Sequence, residues 1–218
     1  MAEHYGTIPK KFTKAWWEYF WDYYKIHTIV IAVIIIAAAV TIYQVVTQTK
    51  YDYHITYAAG MYIETDKLSD VIKPYVDDID KNGEKNIEYQ EMIFTENDQD
   101  AEFLAAMVTK LQLQFVSDEC MLFIFDEDKA KYLFNNDTLE GAFKPVADWA
   151  ETDIKDESRL YISDNVGYAV SLSDSKLLKD AGIDGTNLYV AVRNYITDED
   201  DVLENMNTAA KIANELIK

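Results

Sequence analysis

The residues best placed to hold an ion are Asp78, Asp80 and Asn82, at alternate positions before Gly83 in the run Asp78-Ile79-Asp80-Lys81-Asn82-Gly83. Oxygen ligands at positions 1, 3 and 5, followed by a glycine that permits a sharp turn, open a calcium loop of the EF-hand type. The second half departs from that pattern. Position 12 is Tyr89 instead of a bidentate glutamate, and the apolar Ile87 falls at position 10 rather than 8. Two readings stay open: a weak Ca2+ site, or a solvated turn between a helix and a strand.

Asp126-Glu127-Asp128 is the second acidic group. It follows Met121–Phe125, a continuous apolar run that reads as a central strand covered on both faces. Ligands of α/β proteins gather at the carboxyl ends of such strands, where paired carboxylates hold a cation or perform acid–base work. An acidic turn that starts the next helix is the plainer alternative. The run Asp198-Glu199-Asp200-Asp201 reads as a favourable helix N-terminus in the same way.

Ser173-Asp174-Ser175-Lys176 fits S-x-x-K and Ser163-Asp164-Asn165 fits S-D-N, two of the three boxes of penicillin-recognising enzymes. Here S-x-x-K follows S-D-N, the reverse of their order, and no K-T-G box is present. A turn and a helix N-cap with a lysine nearby account for both. The sequence has no P-loop and no G-x-G-x-x-G, and His4, His27 and His54 lie far apart. The single Cys120 leaves no internal disulfide and no cysteine-ligated zinc site. No catalytic residue is assigned, and Ca2+ is the one cofactor for which residues can be named.

The elements that must carry these groups begin with a membrane segment. Ile26 to Val46 is a run of twenty-one residues without a formal charge, and Ile29–Val40 is apolar on every face. As a helix the run spans about 31 Å, the thickness of a bilayer's hydrocarbon core. A cleaved signal peptide is the rival reading, because Ala37-Ala38-Ala39 contains an Ala-x-Ala pattern. The preceding segment is long and aromatic rather than short and basic, which favours an uncleaved signal anchor. Lys10, Lys11, Lys14 and Lys25 precede the span and Lys50 follows it. By the positive-inside rule the N-terminus is cytoplasmic and the remainder extracellular.

Before the span, Trp16-Trp17-Glu18-Tyr19-Phe20-Trp21-Asp22-Tyr23-Tyr24-Lys25 packs aromatic rings densely. Phe12, Trp16, Phe20, Tyr23 and His27 fall on one helical face. Such rings favour the headgroup layer, yet ten residues of helix cover about 15 Å, more than one belt needs. Phe12, Trp16, Trp17, Phe20, Trp21 and Tyr24 therefore meet either the lipid bilayer interface or another membrane protein. Within the span, Thr28/Ala32 and Ala37/Thr41 give a weak helix-packing signal.

The remaining chain is acidic. Lys and Arg number 20 against 39 Asp and Glu, a net charge of −19. Residues 51–218 alone carry 15 basic and 36 acidic side chains, a net of −21. Such a chain lacks the cationic surface that neutralises phosphates, so nucleic acid is excluded as a partner. His54–Ile63 reads as a strand, Asp66–Ile79 as a helix, and Ile87–Phe94 as a strand. Asp98 is placed to cap a helix with the stripe Leu104, Met107, Val108, Leu111 and Phe115. Lys129–Trp149 is mixed helix and loop, and Arg159–Ser163, Val166–Leu172 and Asn187–Asn194 read as strands. A closing helix after Thr197 buries Val202, Met206, Ala209, Ala210, Ala213, Leu216 and Ile217.

The aromatic-then-isoleucine anchor and the ending Asn187-Leu188-Tyr189-Val190-Ala191-Val192-Arg193 resemble a family of single-pass membrane proteins of Gram-positive, Clostridia-type bacteria. That resemblance covers most of the chain and implies a location without an activity. The unit from His54 to Trp149 also resembles the first lobe of extracytoplasmic solute-binding proteins.

The expected fold class is α/β: an N-terminal transmembrane helix followed by a single α/β sandwich domain with a mixed, mainly parallel sheet. Residues 1–25 form a cytoplasmic and interfacial aromatic segment, 26–47 the transmembrane helix, and 48–218 the extracytoplasmic acidic domain. The expected role is a non-enzymatic binding or scaffolding subunit of a cell-surface assembly, such as a transporter. A ligand or cation sensor is the alternative, and an extracytoplasmic hydrolase a further one.

Overall fold

A computed structural model describes residues 9–79, 81–95, 100–134 and 141–218. The chain divides into two compact units, Met1–Thr49 and Lys50–Lys218. The described part of the first is dominated by one helix, α1 (Lys14–Thr47). Thr13 starts it by accepting the Trp16 N–H at 3.3 Å, while its own hydroxyl donates to the Lys10 carbonyl at 2.7 Å. None of the 34 residues of α1 is buried. At 1.5 Å per residue it is about 51 Å long, so the apolar run and the aromatic segment lie on one continuous helix.

The second unit is built on β1 (Tyr53–Ala59), α2 (Thr65–Ile72), β2 (Ile87–Ile93), α3 (Ala101–Leu113), β3 (Cys120–Asp126) and α4 (Glu127–Phe134). It continues through α5 (Val146–Trp149), β4 (Leu160–Ser163), β5 (Val166–Ser171), α6 (Lys176–Asp180), β6 (Leu188–Val192) and α7 (Asp200–Leu216). The helical spacing read over Asp66–Ile79 is realised only as far as Ile72. Pro74 lacks the N–H that an α-helix needs, and the chain closes instead in a 3-10 turn at Lys73–Tyr75. Asp98 lies outside the described residues. The cap of α3 is Asp100, whose carboxylate accepts the N–H groups of Glu102 and Phe103 at 3.0 and 3.1 Å.

The six strands form one sheet in the order β2-β1-β3-β6-β5-β4. β1 pairs in parallel with β2 and β3, whereas β3–β6, β6–β5 and β5–β4 are antiparallel. The expectation of a mainly parallel sheet is therefore wrong: the sheet is mixed, with most pairings antiparallel. The reason lies in the connections. A parallel return requires a crossover of a dozen or more residues, which β1 to β2 and β2 to β3 have. β4 and β5 are joined instead by Asp164 and Asn165 alone, both at positive φ (49° and 65°), the geometry of a tight hairpin.

β3 lies between β1 and β6, and Cys120 through Phe125 are buried, as a central strand requires. Its side chains alternate between two cores. Leu122 and Ile124 join Tyr53, Ile55 and Tyr57 beneath Val202, Met206, Ala209, Ala213 and Leu216 of α7. Phe123 and Phe125 face Leu111 of α3 and Leu133 of α4. The sheet is thus covered by helices on both sides. Two further α7 residues are buried, Ile212 and Asn214. Asn214 Nδ2 donates to the Trp149 carbonyl and its Oδ1 accepts the Glu151 N–H, each at 2.8 Å, which fastens the end of α5 to α7.

Candidate functional site

On α1 the aromatic residues form a ladder. Trp16–Phe20 and Phe20–Tyr24 have ring centroids 5.4 and 5.6 Å apart, the i, i+4 spacing of a helix surface, and Phe12, in the turn before α1, continues the row with its centroid 5.5 Å from Trp16. Trp17 sets its edge against Trp16 and Phe20 at 4.9 and 6.0 Å. The ladder ends on Tyr24, whereas Tyr23, placed on this face from sequence, tilts against Tyr19 at 4.7 Å. Trp17 and Trp21 are each more than half exposed. Lys14 and Glu18 form a loose, exposed ion pair at 4.0 Å elsewhere on the same segment, of the kind that contributes at most about 0.5 kcal/mol.

The calcium-like loop satisfies much of its own backbone. Asp78 accepts the N–H groups of Asn82 and Gly83 at 3.2 and 2.9 Å, and Asn82 Oδ1 accepts the Glu84 N–H at 2.6 Å. Gly83 sits at φ 89°, a conformation that other residues rarely adopt. Asp80 lies outside the described residues. Among those described, no group of three or more His, Cys, Asp or Glu converges where a metal ion could be held.

Asp126, Glu127 and Asp128 do not act together. Asp126 turns inward, accepting the Gly60 N–H at 2.6 Å and the Lys129 N–H at 2.9 Å, which joins the ends of β1 and β3 and starts α4. Glu127 and Asp128 face outward and share Lys131 at 3.1 and 3.6 Å. Lys129 was not singled out from sequence. It is 3% exposed, with its ammonium 4.1 Å from the Phe94 ring centroid and 4.0 Å from Asp126. Nothing in the order Asp-Glu-Asp-Lys says which charge is buried. The S-x-x-K residues are structural: the Ser175 hydroxyl accepts the Leu178 N–H as the cap of α6.

A cleft of about 750 Å³ opens at the amino ends of β1 and β3. Its walls come from residues 51–54, 76–79, 81, 118–119, 201–202, 204–205 and 208, including Asp77, Asp78, Asp118, Glu119, Asp201 and Glu204. Burial pushes the phenol of Tyr53, one of its lining residues, well above the ordinary tyrosine value. His54 Nδ1 lies 2.8 Å from Glu88. Sequence reading missed this cleft because no two of its walls are contiguous in the chain. Two of its acidic lining residues, Asp78 and Asp201, were singled out from sequence, but as parts of a calcium loop and a helix N-terminus, and the surplus of carboxylates in residues 51–218 has no address. Comparison with family models, with curated proteins and with solved structures finds no match to this chain.

Proposed function

We propose that this chain is a membrane-anchored binding or scaffolding subunit of a cell-surface assembly, such as a transporter, with residues 1–25 cytoplasmic and 48–218 extracellular. One observation carries the reading: α1 has no buried residue along 34 positions, and its apolar run exposes Ile, Val and Ala on every side. A helix of that kind is stable in hydrocarbon and costly in water, since its isoleucines and valines alone each forfeit about 1.5–3 kcal/mol when left unburied. The lysines before the run support the orientation. The aromatic ladder is the surface offered to lipid headgroups or to a membrane protein partner, and the acidic domain is the surface offered outside. The cleft favours a second reading, a sensor of a ligand or cation.

The test is labelling of intact cells with an impermeant thiol reagent. Cys120 is 2% exposed and its thiol is pushed up by burial, so the native chain supplies a silent background. A cysteine at Lys85 is labelled and one at Lys10 is shielded until the cells are opened. The reverse pattern overturns the orientation, and recovery of the chain in the soluble fraction overturns the anchor.

A further inference from the structure

The two edges of the sheet are built differently. β4 is blunted: it has four residues, and its register against β5 shifts between Tyr161 and Ile162. Short strands and irregular pairing are common guards against adding a strand from another chain. β2 instead runs seven residues in unbroken register with β1, without glycine or proline. The Asn86 carbonyl accepts the Asp52 and Tyr53 N–H groups just before this strand, and the Phe94 N–H donates to the Ala59 carbonyl just after it. Backbone groups alternate sides along a strand, so the even-numbered residues face β1. Ile87, Tyr89, Glu91 and Ile93 therefore turn their N–H and C=O groups to the outer edge. Among the described residues one group meets that row: Lys110 Nζ of α3 donates to the Glu91 carbonyl at 3.0 Å. A carbonyl has two lone pairs, so this acceptor keeps room for a second bond.

We propose that β2 pairs antiparallel with β2 of a second copy of this chain, joining two six-stranded sheets into one. The residues fix the register. Pairing about Gln90 sets Ile87 opposite Ile93, Glu88 opposite Met92 and Tyr89 opposite Glu91, with Gln90 opposite its own copy. All of β2 is then used, each outward-facing residue meets an outward-facing residue, and no carboxylate stands opposite another. A centre at Glu91 would oppose Glu91 to itself, and like charges directly opposite are destabilising. A centre at Tyr89 would leave Met92 and Ile93 beyond the partner strand. The Glu88 carboxylate already lies 2.8 Å from His54 Nδ1 and accepts from Gln90 Nε2 at 2.9 Å. Ile87, Tyr89 and Ile93 are partly buried against the core that holds Leu68 and Ile72 of α2, so the Ile87–Ile93 pairs extend that core across the junction. The antiparallel direction also brings the Lys85 end of one strand toward the end of the other after which Asp100 and Glu102 begin α3, opposite charges at both ends. The inference goes beyond the anchored-subunit reading and does not depend on it, because β2 belongs to the outer unit.

Disulfide cross-linking of the full chain in the cells that express it tests the proposal. Cys120 is 2% exposed, so the native thiol supplies no background. Gln90 falls on the two-fold axis in a non-hydrogen-bonded pair, where Cα atoms stand about 4.5 Å apart, within reach of a disulfide. Under mild oxidation Gln90→Cys is expected to give a product of twice the chain's mass. In Glu88→Cys the two thiols sit four residues apart along the paired strands, about 13 Å, too far to bridge. Ile162→Cys, at a position 46% exposed, lies on the β4 edge. Neither of these is expected to cross-link. Equal yields from the three variants would show collision without register and overturn the proposal, as would no product from Gln90→Cys. Capture of a protein of different mass by Gln90→Cys would assign the edge to another chain and overturn it too. Fractionation of the same cells reads the anchor separately: a soluble chain that still gives the Gln90→Cys product would fail the anchored reading and keep the paired edge.

Discussion

Asp52 and Asn86 exchange two hydrogen bonds: the Asp52 N–H donates to the Asn86 carbonyl, and the Asn86 N–H donates to the Asp52 carboxylate, each at 2.8 Å. The second carboxylate oxygen accepts the Ile79 N–H at 2.8 Å. One acidic side chain, 5% exposed, thus fixes the start of β1 against β2 and anchors the loop that walls the cleft.

Replacing Asp52 with alanine strands two backbone donors, and a buried unsatisfied group costs about 1–3 kcal/mol. A loss of about 2–4 kcal/mol is expected, read as a fall in the urea midpoint followed by circular dichroism. A midpoint unmoved by Asp52→Ala would show that water replaces the carboxylate at no cost.

Arg193 supports the same end of the sheet from the next strand over, where its N–H donates to the Met121 carbonyl at the amino end of β3. Its guanidinium donates to the carbonyls of Gln114 at 3.0 Å, Phe115 at 2.6 Å and Ser117, the free acceptors after α3. Its charge also lies 4.7 Å from the Tyr195 ring centroid. Because several acceptors are fixed by one planar fork, Arg193→Lys is not conservative. Arg193→Ala is expected to cost about 3 kcal/mol or more and Arg193→Lys at least half of that, by the same urea titration.

These two residues mark where sequence reading ends. Alternation and helical spacing located the strands and helices because burial imposes a period on neighbouring residues. The α7 stripe from Val202 to Leu216 and the apolar run of β3 are legible for that reason. Strand direction was not, since it is set by connections: the Asp164-Asn165 hairpin turns β5 back on β4, and the pattern within either strand is the same for both directions. Asp52, Lys129 and Arg193 carry charges that sequence assigns to solvent, and only the packed structure supplies the partners that bury them. The aromatic segment of α1 was readable in outline, but which rings touch depended on side-chain direction.

Alkaline pH should unfold the outer domain before it titrates its inner tyrosines. Burial raises the phenols of Tyr53 and Tyr57, and Tyr57 also donates to the Met61 carbonyl at 2.8 Å. In the unfolded chain both lose their protons near pH 10. The folded state keeps protons that the unfolded state has released, so this stabilisation is complete below pH 10 and declines above it. The slope is about 1.4 kcal/mol per pH unit for each phenol. Urea midpoints should therefore fall between pH 10 and 11, with Tyr57→Phe shallower. Equal midpoints at the two pH values would contradict the assignment.

The last prediction separates a passive anchor from a docking helix. If residues 26–46 fill the hydrocarbon, Trp16 lies about 15 Å further along a straight helix, and Phe12 lies beyond it in the turn before α1. The headgroup layer on one side is only about 5–8 Å deep, so lipid covers the rungs nearest the span and not Phe12 and Trp16. A membrane protein partner covering those rungs would lose a large aromatic anchor in the Trp16→Leu/Phe20→Leu variant. That loss costs about 2 kcal/mol or more, over tenfold in affinity. The variant is expected to stay in the membrane fraction, because the twenty-one uncharged residues are untouched, while a co-purifying membrane protein is lost in mild detergent at equal expression. Identical partner profiles for wild type and variant would remove this face as the docking surface and leave the outer domain to make the contact.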